Sequence, residues 1–180
     1  MTEPELVRRC QKRDPKAQHA LYDAFADRLY RIAYRYVKHQ LETEDVVMRS
    51  LVKVFEHMVS FTYKGDGSLE AWMRKIVINE ALMSLRRAHN FNLTESLEPE
   101  SNFHDLDAFR EIEAEYLYQL ITELPDGYRT VFNLFVVEGF EHKEIAAMLG
   151  VSENTSRSQL FKAKELLKRK IKKEGLKYGT

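Results

Sequence analysis

Three groups of side chains in this 180-residue chain could bind a partner or a nucleic acid. Between residues 61 and 68, Phe61, Tyr63, Lys64 and Asp66 are interleaved with Gly65 and Gly67. Aromatic faces stack on unpaired bases, a cation meets phosphate, and glycine lets backbone come close. The same composition also makes an ordinary glycine turn anchored by one aromatic. Near the C-terminus, Ser152, Glu153, Asn154, Thr155, Arg157, Ser158, Phe161, Lys162 and Lys164 follow closely on Gly150. At a helix N-terminus, Glu153, Asn154 and Arg157 suit base edges in the major groove, and Lys162 and Lys164 suit phosphates. A third group, Glu42, Glu44 and Asp45, precedes the apolar residues Val46, Val47 and Leu51. Glu44 and Asp45 can meet a basic partner, or simply favour the dipole of their own helix.

Covalent chemistry finds no comparable grouping. The six histidines, at 19, 39, 57, 89, 104 and 142, are scattered, and no serine lies in a nucleophile context. Cys10 is the single cysteine, so neither an internal disulfide nor a cysteine-based zinc site can form within the chain. Glu141-His142-Lys143-Glu144 lacks the second histidine of a zinc-hydrolase motif and reads as a helix start. No catalytic residue, metal or cofactor is expected.

Elements that position these groups are helical. Gly (7) and Pro (4) are few, and helix formers abound, which predicts an all-α fold. Asp14-Pro15 opens a helix with Leu21, Phe25, Leu29, Ile32 and Tyr36 on one face. A second, capped by Thr43, buries Val47, Leu51, Val54 and Met58 and leaves its other face to a partner. Ser68 caps a third, in which Trp72, Ile76, Val77, Ile78, Leu82, Met83 and Leu85 lie on most sides. That distribution predicts a helix wedged inside a bundle, with Trp72 in the core. Asn79 is then a satisfied core amide or, if exposed, a base reader. Periodicity fails from His89 to Asp107, predicting a flexible acidic linker over 91–110 between domains 1–90 and 111–180. Beyond it, Ile112, Tyr116, Leu120 and Leu124 form a stripe ending at Pro125-Asp126-Gly127, and Tyr128 to Val137 resumes it. Ile145, Ala146 and Leu149, the break at Gly150, the cap Ser152 and the apolar Leu160, Ala163 and Leu167 predict a helix-turn-helix. A plain helical hairpin within a bundle shares that spacing.

Charge is segregated although its sum is zero. Residues 1–90 carry 16 Lys+Arg against 12 Asp+Glu, residues 91–125 carry 1 against 9, and residues 126–180 carry 11 against 7. Two basic blocks flanking an acidic middle suit a nucleic-acid partner better than the total implies. The most apolar run, Val131 to Val137, is too short to cross a bilayer, so no membrane insertion and a cytoplasmic setting are expected.

Residues 142–155, His-Lys-Glu-Ile-Ala-Ala-Met-Leu-Gly-Val-Ser-Glu-Asn-Thr, resemble the C-terminal DNA-binding region of bacterial sigma factors, and Leu124-Pro-Asp-Gly-Tyr-Arg129 strengthens the likeness. Alone, this half resembles response-regulator activators equally well. The N-terminal half discriminates. Glu42-Thr-Glu-Asp-Val-Val-Met-Arg-Ser-Leu-Val-Lys-Val-Phe55 is similar to the sigma segment that docks on the polymerase clamp helices. Ser68-Leu-Glu-Ala-Trp-Met-Arg-Lys-Ile-Val-Ile-Asn79, continuing to Leu85-Arg86-Arg87, resembles the segment that recognises and opens the minus-ten element. Order and compact size point to the extracytoplasmic-function class. The resemblance implies core RNA polymerase, promoter DNA and an anti-sigma factor as partners. It assigns polymerase docking to Glu42, Glu44, Asp45, Met48, Arg49, Val52 and Phe55. It assigns minus-ten binding to Phe61, Tyr63, Lys64, Asp66, Arg74, Asn79, Arg86 and Arg87, with the 61–68 loop capturing a flipped base. The minus-thirty-five element falls to the Ser152–Lys164 group. Met48, Arg49 and Ser156 depart from the family pattern, which expects Gln, an acidic or polar residue, and valine. The alternative is a stand-alone helix-turn-helix regulator that binds duplex DNA without polymerase.

Overall fold

The computed structural model describes residues 1–87 and 114–173, and all regular structure among them is helical. The chain forms two compact units, residues 1–88 and 89–180. The expected linker at 91–110 lies outside the described residues, as does Ile112.

In the first unit, α1 (Glu3–Gln11) is an element the sequence reading did not anticipate. Leu6, Val7 and Cys10 fall on one face of it and are buried. Burial pushes the Cys10 thiol up to about 11. The long α2 (Pro15–Val37) begins where Asp14 accepts the Lys16 N–H at 2.9 Å, with proline favouring the first turn. The Arg9 guanidinium, 2.8 Å from Asp14, holds that carboxyl below its usual range. Leu21, Leu29 and Tyr36 are fully buried, and burial of each leucine contributes roughly 1.5–3 kcal/mol.

Helix α3 (Gln40–His57) starts four residues earlier than expected, after His39 instead of after Thr43. Thr43 is therefore inside the helix, not its cap: it is buried and its hydroxyl donates to the His39 carbonyl. The buried stripe of Val47, Leu51, Val54 and Met58 is as expected, joined by Val46. After a 3₁₀ turn (Met58–Ser60) and a loop, α4 (Ser68–Arg87) packs against α2 and α3. Ser68 is the first residue of α4, and its hydroxyl accepts the Lys64 N–H rather than capping the helix. The N-terminal amides are met by Glu3 of α1 instead.

Helix α4 is not wedged in on all sides. Leu69, Met73, Val77, Ile78, Ala81, Leu82 and Leu85 are buried, yet Lys75, Asn79, Met83 and Arg86, spaced by three and four, form an exposed strip. On the α3 side the buried Glu80 carboxylate accepts from Lys53 Nζ at 2.5 Å and forms an ion pair with Arg49, Nε lying 3.3 Å away.

In the second unit, α5 (Ala114–Thr122) and α6 (Asp126–Phe132) are joined through Pro125, and α6 runs into a π-helical turn (Asn133–Val137). The single continuous helix expected from Tyr128 to Val137 therefore starts earlier and changes winding. Arg129 is 1% exposed; its guanidinium donates to the Leu124 carbonyl and to Asp126 Oδ1, each at 2.7 Å. α7 (His142–Leu149) starts with the Glu141 N–H on Glu144 Oε2 at 2.8 Å. It ends at Gly150, whose φ of 71° is the left-handed conformation that favours glycine. Ser152 Oγ then accepts the Thr155 N–H at 3.0 Å and starts α8 (Glu153–Lys173). Leu160, Ala163 and Leu167 are buried beneath it, as their spacing predicts.

Candidate nucleic-acid interface

Three surfaces present the residues singled out above. On α3, Glu42, Glu44, Asp45, Met48 and Val52 are exposed, and Phe55 is half-buried. Exposures of 56% for Met48 and 52% for Val52 are unusual for apolar side chains one turn apart. Carboxylates at the start of the helix and bare apolar residues along it suit a partner that is basic at one end and apolar along the rest. Arg49, a departure from the family pattern, pairs with Asp45 one turn back and with Glu80 of α4. Its unusual identity thus has a structural counterpart, the tie between α3 and α4.

The second surface joins the 61–68 loop to the exposed strip of α4. Phe61 is half-buried with its ring stacked on Trp72, centroids 4.6 Å apart. Trp72 is itself only half-buried, an aromatic platform rather than a core residue. Tyr63 donates its hydroxyl to Asp66 Oδ1 at 2.7 Å, and the carboxylate raises the phenol to about 12. Lys64 and Asp66 are exposed and Arg74 is half-buried. Asn79 is exposed, which removes the core-amide alternative. Arg86 and Arg87 are exposed at the end of the same helix.

At the third surface, the start of α8, Ser152, Glu153, Asn154 and Arg157 are exposed, with Arg157 3.4 Å from Glu153. Ser158, Phe161 and Lys162 are half-buried. Two residues expected among the DNA contacts are instead turned inward. Thr155 is 2% and Lys164 7% exposed, because they fall on the two edges of the buried arc of α8, Thr155 beside Gln159 and Ala163 and Lys164 beside Leu160 and Leu167. Ser156 is fully buried and bonded to His142 Nδ1 at 2.8 Å, which supplies a polar partner where the family pattern has valine. The His142 ring stacks on Phe135 at 4.5 Å. Burial, followed by the Arg157 charge, depresses the basicity of this histidine.

Four contributors were missed by sequence reasoning: Glu3, Gln11, Glu80 and Arg129. Only Arg129 lay in a motif already noted. The others act across 27 residues or more, and only α1 had a local signal, the apolar spacing of Leu6, Val7 and Cys10.

Comparison with known proteins accounts for both units. The family model described as Sigma-70 region 2 matches residues 21–91, and that described as Sigma-70, region 4 matches residues 114–167. Together they span well over half the chain, in the order expected. Relatives named "ECF RNA polymerase sigma-E factor" from Escherichia coli (strain K12) and Salmonella typhimurium (strain LT2) are each 29% identical over 95% of this chain and 95% of their own. The Haemophilus influenzae protein of the same name is 27% identical, covering 95% of this chain and 96% of its own. A solved structure, CnrH in complex with the cytosolic domain of CnrY, shares the fold at a TM-score of 0.50 and 19% identity, covering 94% of this chain and 97% of that one. The chain belongs to the sigma-70 family of promoter-recognising RNA polymerase subunits, in its extracytoplasmic-function (ECF) class. That family is not a class of enzymes. Among the described residues no helix is long and apolar enough to cross a membrane.

Proposed function

We propose that the labour of promoter recognition is divided among the three surfaces. The exposed face of α3 docks on core polymerase through Glu42, Glu44, Asp45, Met48 and Val52. The 61–68 loop and the strip of α4 bearing Asn79 hold the opened minus-ten strand, with unpaired bases stabilised by stacking and by phosphate contacts. The start of α8, through Asn154 and Arg157, reads the minus-thirty-five duplex in its major groove. Under this reading residues 1–90 and 111–180 are the two working domains and the acidic 91–110 segment tethers them. The observation that carries it is the presence of both sigma-70 regions in one chain, each with an exposed face that bears candidate contact residues, Asn79 in the first and Asn154 and Arg157 in the second. A stand-alone regulator needs no region 2 and is disfavoured for that reason.

An anti-sigma protein that masks these surfaces belongs to the same proposal, as does a cytoplasmic, non-catalytic life beside polymerase. A chain of like fold, CnrH, is known in complex with a cytosolic domain of another protein, which supports a masked state. Run-off transcription with core polymerase and genomic fragments tests the whole. Promoter-specific transcripts that require this chain are expected. Their absence with active core enzyme, or tight operator binding by the free chain, refutes it.

A further inference from the structure

Helix α1 lies outside the stretch matched to region 2, which begins at residue 21, yet it touches both ends of the 61–68 loop. At its start the Glu3 carboxylate is shared between two amides, Oε2 receiving the Gly67 N–H at 3.2 Å and Oε1 the Leu69 N–H at 3.3 Å. At its end Gln11 Nε2 donates to the Phe61 carbonyl at 2.9 Å. These two anchors sit about 12 Å apart along the helix, at 1.5 Å per residue. The loop thus leaves α1 at Phe61 and returns to it at Gly67. Gly65, between the anchors, and Gly67, at the second of them, adopt φ of +116° and +81°; glycine populates negative φ about as readily, so the residues themselves do little to fix this shape. Inside the loop three bonds hold its shape: Tyr63 hydroxyl to Asp66, the Lys64 N–H to Ser68 Oγ, and the Ser68 N–H to the Gly65 carbonyl at 3.1 Å. Glu3 also offers the first amides of α4 a negative charge, which fixes where that helix begins.

We infer that Glu3 and Gln11 are positioning residues that hold the 61–68 loop in its base-accepting shape, so that α1 sets how well this protein discriminates the captured base. The inference rests on the reading of the loop as the capture site for an unpaired base. A loop held at both ends gives up little freedom when a base enters, and the gain is confined to the base that enters it. Loss of either anchor therefore weakens capture of one base without weakening backbone contacts elsewhere on the strand.

The test uses the full chain assembled with core polymerase and a fluorescent single strand carrying the minus-ten element of a promoter found by run-off transcription. Binding is compared with a set of strands made abasic at one position each. Wild-type holoenzyme should lose about tenfold or more in affinity at one position. Glu3→Ala and Gln11→Ala should each shrink that ratio to threefold or less while binding the abasic strand as wild type does. Glu3→Gln, which keeps one acceptor oxygen, should restore part of it. Equal weakening on intact and abasic strands, or an unchanged ratio in both alanine variants, overturns the brace while leaving base capture standing. A wild-type protein indifferent to every abasic position overturns base capture, and the brace with it. Should Glu3→Ala fail to fold, the Gln11→Ala ratio decides.

Discussion

Arg129→Met removes the buried guanidinium on which the α5–α6 junction is built. The Leu124 carbonyl loses a donor at 2.7 Å inside the unit, a loss of about 1–3 kcal/mol for a buried acceptor left unsatisfied. The bond to Asp126, whose carboxylate side is 42% exposed, adds no more than about 1 kcal/mol after screening. A total of roughly 1–4 kcal/mol is a large share of the stability of so small a unit. It corresponds to a fall in midpoint of about 4 °C or more for a domain of this size. Trp72, the one tryptophan in the chain, lies in the first unit, so its fluorescence reports that unit alone, whereas far-ultraviolet circular dichroism reports both. Thermal unfolding of the variant should show part of the dichroism transition moving down and the Trp72 transition staying in place. Binding to minus-thirty-five duplex should fall at temperatures where binding to core polymerase persists. A dichroism midpoint within 1 °C of wild type, or an equal displacement of the Trp72 transition, refutes the assignment of Arg129 as an internal anchor of the second unit.

Three further outcomes follow from the geometry. Folding depresses the basicity of His142, so the unfolded chain takes up the proton first; the second unit should lose stability as pH falls below about 6.5 and level off once the folded histidine is also protonated. His142→Gln should flatten that dependence in urea midpoints measured from pH 7.5 to 5.5. Asn79→Ala, at an exposed position, should change stability by no more than about 0.5 kcal/mol. Binding of the minus-ten single strand should nonetheless drop several-fold in a fluorescence titration. Arg157→Ala should weaken minus-thirty-five binding about tenfold and leave polymerase pull-down intact, while Asp45→Lys should do the reverse.

Much of the fold was legible because it is written in local chemistry. Gly150 must be left-handed where α7 stops, Ser152 must offer an oxygen where α8 starts, and the four- and three-residue spacing of Leu21, Phe25, Leu29 and Ile32 has one helical solution. Boundaries proved weaker where a side chain had two uses. Thr43 bonds the His39 carbonyl from inside α3 instead of capping it, and Ser68 serves the loop before it instead of the helix after it. Either role satisfies a hydroxyl, and only the surrounding packing selects between them.

The candidate surfaces divide in the same way. Residue type and order alone determined that this chain holds two helical modules, that its ends are basic and its middle acidic, and that its motifs are those of a sigma factor. These depend on composition and on neighbours a few positions away. Exposure depends on what packs against a helix, so tertiary structure alone decided that Asn79 faces outward and that Thr155 and Lys164 face inward. It alone paired Glu80 with Lys53 and Arg49, and brought Glu3 to amides 64 and 66 positions away. A periodic pattern states which side of a helix is apolar, but it carries no record of the distant segment that arrives to cover it.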